Sequence, residues 1–149
     1  KQSLKHISVS NEIKLQEPGN DGPLAQHISL MISGSKPLQV NLGNGKEKVV
    51  LELDAIRKHA SFNRDQSGIN NFSEKFSGPQ RAPYEPMEGK VALDIYLDKS
   101  SIEIFIDKGR LVFTNQIFPT SPYTSISLTS DAAVVDEVTF EHYTSAWKK

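Results

Sequence analysis

Residues 91–118, VALDIYLDKSSIEIFIDKGRLVFTNQIF, determine the fold class of this chain. Apolar residues occupy alternate positions on both sides of the polar pair at 99 and 100, which is typical of strands with one buried face. If residues 98 and 101 flank a two-residue turn, every inward pair is apolar: Leu97 with Ile102, Ile95 with Ile104, and Leu93 with Ile106. The sequence therefore predicts a β-hairpin with a fixed register.

A third strand follows a second turn, residues 107–110, in which Gly109 can adopt a positive φ angle. The same reasoning opposes Ile106 with Leu111 and Ile104 with Phe113, which completes a three-stranded meander. We expect the core to contain the inward side chains of this meander, namely Ile95, Leu97, Ile102, Ile104, Ile106 and Phe113.

Shorter alternating runs predict further strands at residues 4–15, 26–32, 47–54, 124–129 and 134–143. Residues 63–89 are rich in glycine and proline and indicate a long excursion with little regular structure. Residues 53–60 are the only short helix candidate, and a strand end followed by a turn explains them better. We predict an all-β fold, a two-sheet antiparallel β-sandwich of the concanavalin-like jelly-roll type, with a poorly ordered tail at residues 144–149.

Length and charge restrict the partners of the chain. Its 149 residues fit one domain, and Lys and Arg total 17 against 18 for Asp and Glu. This balance gives no large field for nucleic acid, and no apolar run is long enough to cross a membrane. We expect residues 1–149 to form one soluble β-sandwich domain, and the absence of an initiator Met or a leader suggests a fragment of a longer protein.

Few residues suggest chemistry of their own. No cysteine is present, and the four histidines (His6, His27, His59 and His142) show no metal-binding spacing, so neither a metal site nor a cofactor is predicted. The motif G-x-S-x-G is absent, and Asn44-Gly45 fits a hairpin turn better than a phosphate loop.

Four acids, Asp94, Asp98, Glu103 and Asp107, share the polar face of the hairpin. A solvated sheet face explains them better than a pair of glycosidase carboxylates, because such a pair needs burial or crowding to separate its pKa values. Tyr96 and Phe105 lie on the same face, so contact with a neighbouring domain is the other interpretation.

The candidate sugar-binding residues are Arg64, Asp65, Arg81 and Tyr84, which combine hydrogen-bonding groups with one aromatic ring. Sugar hydroxyls exchange water for fixed polar partners, while a flat apolar ring face needs a flat surface. The competing interpretation is that Arg64 and Asp65 pair with each other and pin the long loop to the sandwich.

Residues 93–119, LDIYLDKSSIEIFIDKGRLVFTNQIFP, resemble the signature L-x-I-x-x-D-x-S-S-[IV]-E-[IV]-F-[IV]-x-x-G…T…[IV]-F-P of the C-terminal sandwich in glycoside hydrolase family 32. Upstream, residues 62–68, FNRDQSG, resemble the family's D-R-x-x-S-G stretch, and residues 81–83, RAP, resemble the segment between the two. Asn63 replaces the usual acid, so a role of that acid is not transferred to this chain.

The resemblance implies a division of labour in which an N-terminal five-bladed propeller of the same polypeptide holds the catalytic acids. Its motifs N-D-P-N-G, R-D-P and E-C do not occur in residues 1–149, so we expect no catalytic residue here. The implied substrate of the parent protein is fructan, and the implied location is secreted or periplasmic. Two functions stay open: a non-catalytic accessory domain that stabilises the propeller, or an autonomous carbohydrate-binding module that recognises levan or inulin chains.

Overall fold

The computed structural model describes residues 2–16, 27–34, 36–63, 80–86, 89–98, 101–117, 123 and 125–141. These ranges contain ten strands and no helix. The strands are β1 (Gln2–Gln16), β2 (His27–Ser33), β3 (Leu38–Gly43), β4 (Lys48–Asp54), β5 (His59–Asn63), β6 (Gln80–Pro83), β7 (Lys90–Leu97), β8 (Ser101–Ile106), β9 (Leu111–Gln116) and β10 (Ser125–Glu141).

All strand pairs are antiparallel, and the strands follow the order β6-β5-β4-β3-β10-β2-β7-β8-β9, with β1 pairing β10. Residues 125–130 of β10 pair β3, whereas residues 134–141 pair β2. β1 accompanies β10 along both parts, with an irregularity between Val9 and Asn11. The sheet therefore curls into two layers: a first layer of β3–β6 and a second layer of β2 and β7–β9, joined by β1 and β10.

The inner faces of the two layers meet around a hydrophobic core. The ring of Phe62 on β5 stacks at 6.0 Å from the ring of Phe113 on β9, which connects the two layers. At the layer edges, the side-chain amides of Gln80 on β6 and Asn115 on β9 exchange hydrogen bonds of 2.9 and 3.0 Å. These contacts confirm the predicted antiparallel sandwich, with the addition that its layers belong to one continuous sheet.

The predicted register of residues 91–118 is confirmed at every pair. Leu97 opposes Ile102, Ile95 opposes Ile104, and Leu93 opposes Ile106; β9 then aligns as expected with β8. Of the six predicted core residues five are buried, and Leu97 is partly buried against the core. Alternation fixes this register because a slip of one residue would expose all of these side chains.

The other strand predictions need two corrections. Residues 125–129 and 134–141 of two predicted runs belong to one long strand, β10, because the chain crosses between layers without a turn; residues 124, 142 and 143 lie outside the described residues. β3 and β6 are additional strands, and β6 lies inside the predicted excursion of residues 63–89. The tail at residues 144–149 lies outside the described residues.

The explanation of residues 53–60 as a strand end and a turn is confirmed. β4 ends at Asp54, whose carboxylate accepts hydrogen bonds from the backbone N–H groups of Ile56 and Arg57 at 3.0 and 2.9 Å. Lys58 takes a positive φ of 60°, and β5 begins at the next residue. The aspartate side chain thus closes a tight turn where a helix would need a continuous backbone ladder.

Candidate functional site

The predicted sugar-binding residues fall into two groups. Arg64 and Asp65 lie outside the described residues. Arg81 is exposed on β6, opposite Ser61 of β5, and its neighbour Ala82 packs toward the core. Alternation along β6 therefore places Arg81 on the outer face, whereas Tyr84, just beyond the strand, is only 5% exposed. The structure does not bring Arg81 and Tyr84 to one surface, and their role in sugar binding stays a prediction.

Tyr84 belongs to a polar cluster at the turn between β8 and β9. Its hydroxyl donates to Oδ2 of Asp107 at 2.8 Å, and the guanidinium of Arg110 lies 5.7 Å from its ring centre. Arg110 also donates to the Asp107 carboxylate at 3.1 Å. Burial raises the pKa of the Tyr84 hydroxyl above its ordinary value of 10.0, and the hydrogen bond to Asp107 raises it further. These contacts anchor the chain after β6 to the second layer.

Asp107 corrects one expectation, because its side chain is not part of a solvated face. The carboxylate is 9% exposed and also accepts a hydrogen bond from the backbone N–H of Ala92 at 3.0 Å. Its φ of 52° turns the carboxylate back toward β7 and away from the outward direction of the strand. The alternation of the sequence groups Asp107 with Asp94 and Glu103, because it does not show that β8 ends at Ile106 and that Asp107 already belongs to the turn.

A histidine is at the centre of the polar contacts on the outer surface of β2, β7 and β10. Nε2 of His27 lies 2.9 Å from Oδ1 of Asp94, and Nδ1 lies 2.9 Å from Oε1 of Glu141. The hydroxyl of Ser29 donates to the same Asp94 oxygen at 2.8 Å. The two carboxylates flank the ring from different strands, so this arrangement holds His27 in place across three neighbouring strands.

Aromatic and apolar side chains lie beside this network. The ring of Tyr96 stacks on that of His27 with ring centres 4.3 Å apart, and the rings of Tyr96 and Phe105 pack edge to face with centres 5.7 Å apart. Val112 is the cross-strand neighbour of Phe105. Met31, Tyr96 and Val112 are 39%, 36% and 41% exposed. We refer to these residues, Met31, Tyr96, Phe105 and Val112, as the aromatic face of the second layer.

This surface combines polar contacts with exposed apolar side chains. Within the described residues, no group of three or more His, Cys, Asp or Glu side chains is arranged to hold a metal ion. The described ranges also contain no helix that could span a membrane. The alternation of the sequence places Tyr96 and Phe105 on one face, but it does not reveal the contacts of His27, because these depend on β2 pairing with β7 and β10 across long chain separations.

Fold and surface thus define a β-sandwich module with one apolar outer face. Residues 1–146 match the family model described as "Glycosyl hydrolases family 32 C terminal", and the chain belongs to this family. A levanase from Bacillus sp. (strain L7) is 36% identical over 78 residues, which cover 52% of this chain and 8% of that protein. An extracellular exo-inulinase from Aspergillus awamori is 31% identical over 107 residues, 70% of this chain and 20% of that protein.

A solved structure has the same fold. The exo-inulinase of Aspergillus awamori superposes with a TM-score of 0.67 at 22% identity, covering 95% of this chain and 29% of that chain. The chain therefore spans a fifth or less of the two curated relatives above and under a third of the solved enzyme.

Proposed function

We propose that this chain is a non-catalytic accessory module of a secreted or periplasmic fructan-cleaving glycoside hydrolase, in which it docks on the catalytic propeller and stabilises it. The observation that supports this most is the aromatic face. Met31, Tyr96 and Val112 are exposed on the outer surface of a layer whose inner surface already forms the core. Exposed apolar side chains grouped in this way and bordered by polar residues are typical of protein interfaces.

The occupant we propose for the aromatic face is the catalytic domain of the same polypeptide. The family match and the much greater length of the relatives support a larger polypeptide around this module. Asp94 and Glu103 lie among these side chains as the cross-strand partners of Phe105 and Tyr96, and Glu141 lies beside them on β10. In such an interface the acids would fix the orientation, while the apolar side chains would supply most of the association energy.

We further propose that the module hydrolyses nothing itself. A glycosidase needs two carboxyl groups that flank one bond, one of them with a raised pKa. Asp94 is engaged by Ser29 and His27, and Asp107 by three donors from Tyr84, Ala92 and Arg110. The sequence also lacks the three acid motifs of the family. Carboxylates held in this way support the fold and leave the chemistry to another domain.

The test uses the full polypeptide that contains this module together with its catalytic domain. Val112→Glu places a charge on the aromatic face, next to Phe105 on the edge strand β9, and Ile56→Glu is the matched control, since Ile56 is 65% exposed in the turn after β4. We expect Val112→Glu to lower the melting temperature of the catalytic domain and Ile56→Glu to leave it unchanged, with both isolated modules melting like wild type. Equal effects of the two variants on the catalytic domain would reject the docking face.

A second candidate is a carbohydrate-binding module. The observation in its favour is a polar surface on the other side of the sandwich, whose side chains are suited to sugar hydroxyls. The two functions do not exclude each other, because they use opposite faces of the fold.

A further inference from the structure

A row of polar side chains crosses the outer surface of the first layer at right angles to its strands. Each member is the direct cross-strand partner of the next, on six neighbouring strands. The row consists of Glu12, Thr129, Gln39, Glu52, Ser61 and Arg81. Adjacent strands lie about 4.8 Å apart, so the row extends over about 24 Å. We refer to it as the polar row.

The polar row is recessed over half of its length. Two open depressions of about 530 and 460 Å³ adjoin on this surface, and both are lined by Glu12, Gln39 and Thr129. The first depression extends to Asn41 and Ser127, which are cross-strand partners of each other next to the row. The surface is therefore a shallow, open trough that a ligand lying across the strands can contact.

The side chains of the trough have the chemistry of a sugar site. Asn41 donates to the hydroxyl of Thr129 at 3.4 Å, which leaves its carbonyl oxygen to accept. Within the described part of the chain, the amide of Gln39 has no hydrogen-bond partner. An amide offers two donors and two acceptor sites, and sugar hydroxyls both donate and accept. These half-buried amides and hydroxyls can therefore replace the water around a polyhydroxylated chain at little cost.

Charge and the lack of aromatic residues narrow the ligand class. Glu12 and Glu52 are offset by Lys48 at the trough and Arg81 at the end of the row, so the surface has no single-sign field for a polyanion. Among the residues that the structure describes, none that lines either depression is aromatic. Such a surface holds a sugar chain through hydrogen bonds to its hydroxyl groups and not through stacking on aromatic rings.

We propose that the trough along the polar row binds a linear fructan chain lying across β1, β10 and β3, with Arg81 at its far end. The choice of fructan rests on the proposed function, but the trough itself rests on the register and the side chains. It faces away from the aromatic face, because the two belong to the outer surfaces of opposite layers. A module docked through one face can therefore hold substrate chain on the other.

The experiment is a calorimetric titration of the chain with levan- and inulin-derived oligosaccharides of increasing length, with xylo-oligosaccharides as a pyranose comparison. We expect affinity to rise with length until the trough is filled. Removing one hydrogen-bonding side chain, by Gln39→Ala or Thr129→Val, should weaken binding about fivefold to tenfold. Thr114→Val, the same change on the outer surface of β9, should leave affinity unchanged.

Each result has a distinct meaning. The trough would be rejected if fructan oligosaccharides at millimolar concentration did not bind, or if Thr129→Val and Thr114→Val weakened binding equally. Neither result would affect the docking function, which the Val112→Glu variant tests separately. Equal affinity for xylo-oligosaccharides would overturn the choice of fructan. Thermal melting of each variant is measured alongside, and a variant that melts well below wild type is replaced by Asn41→Ala on the neighbouring position of the trough.

Discussion

Replacing Tyr84 by Phe removes a single hydroxyl from the contact between the end of β6 and the turn after β8. The hydroxyl donates at 2.8 Å to the Asp107 carboxylate, and the tyrosine is only 5% exposed. A hydrogen bond to a charged group contributes about 1.5–3 kcal/mol to stability. In a domain of this size, 1 kcal/mol corresponds to about 2–4 °C in melting temperature. We therefore expect Tyr84→Phe to lower the melting temperature by about 3–12 °C.

The pH dependence of this difference gives a second, independent readout. The pKa of Tyr84 is raised in the folded state above the 10.0 of the unfolded chain. A raised folded pKa contributes stability that is fully present below the unfolded pKa and is lost as pH rises through the folded pKa. The difference in free energy of unfolding between wild type and Tyr84→Phe should therefore be constant below about pH 9 and should decrease as the pH rises above about 10.

Urea unfolding of wild type, Tyr84→Phe, Asp107→Asn and the double variant measures the coupling between the two groups. We expect a coupling energy above about 0.5 kcal/mol, as for residues in one hydrogen-bond network. Fructan binding by Tyr84→Phe, measured on the same samples, should equal that of wild type. A stability change under about 0.5 kcal/mol combined with weaker fructan binding would refute the anchor and support Tyr84 as a sugar-binding residue.

Three more outcomes follow from the structure. Ile104→Ala should lower the free energy of unfolding in urea by about 2–5 kcal/mol, because the Ile104 side chain is fully buried between Ile95 and Phe113. A loss below about 1 kcal/mol would contradict the placement of Ile104 in the core. The isolated chain should release no fructose from sucrose, inulin or levan above a buffer blank; turnover abolished by Asp94→Asn would overturn the non-catalytic assignment. Arg81→Ala should weaken fructan binding without lowering the melting temperature, because Arg81 is exposed, and the reverse pattern would make Arg81 a loop anchor.

The meander of β7, β8 and β9 could be predicted residue by residue from the sequence. Its alternation is continuous, and its two turns are short, so local pattern and final register coincide. The signal is weaker for β6, which consists of Gln80–Pro83 with mostly exposed side chains, because an edge strand has little apolar alternation. β3 alternates Leu38, Val40 and Leu42, but it is only six residues long between Pro37 and the turn at Asn44.

The candidate surfaces could not be predicted to the same extent, because they depend on strand order. β10 pairs β3 from about 90 residues earlier in the chain, and this pairing joins Glu12 and Thr129 to the part of the polar row on β3–β6. Similarly, His27 reaches Asp94 and Glu141 only because β2 lies between β7 and β10. Periodicity shows which side of a strand faces the core, but it does not show which strands are neighbours.

Oxidation of Met31 tests the docking of the aromatic face most directly. Met31 is 39% exposed on this face, and methionine sulfoxide forms at accessible thioethers. Hydrogen peroxide is applied to the isolated chain and to the full polypeptide, and peptide mass spectrometry follows the oxidation of Met31. In a parallel control, acetic anhydride acetylates exposed Lys48 on the opposite layer. Docking predicts that Met31 is oxidised several times more slowly in the full polypeptide while Lys48 reacts at the same rate. Equal oxidation of Met31 in both proteins would contradict docking through this face.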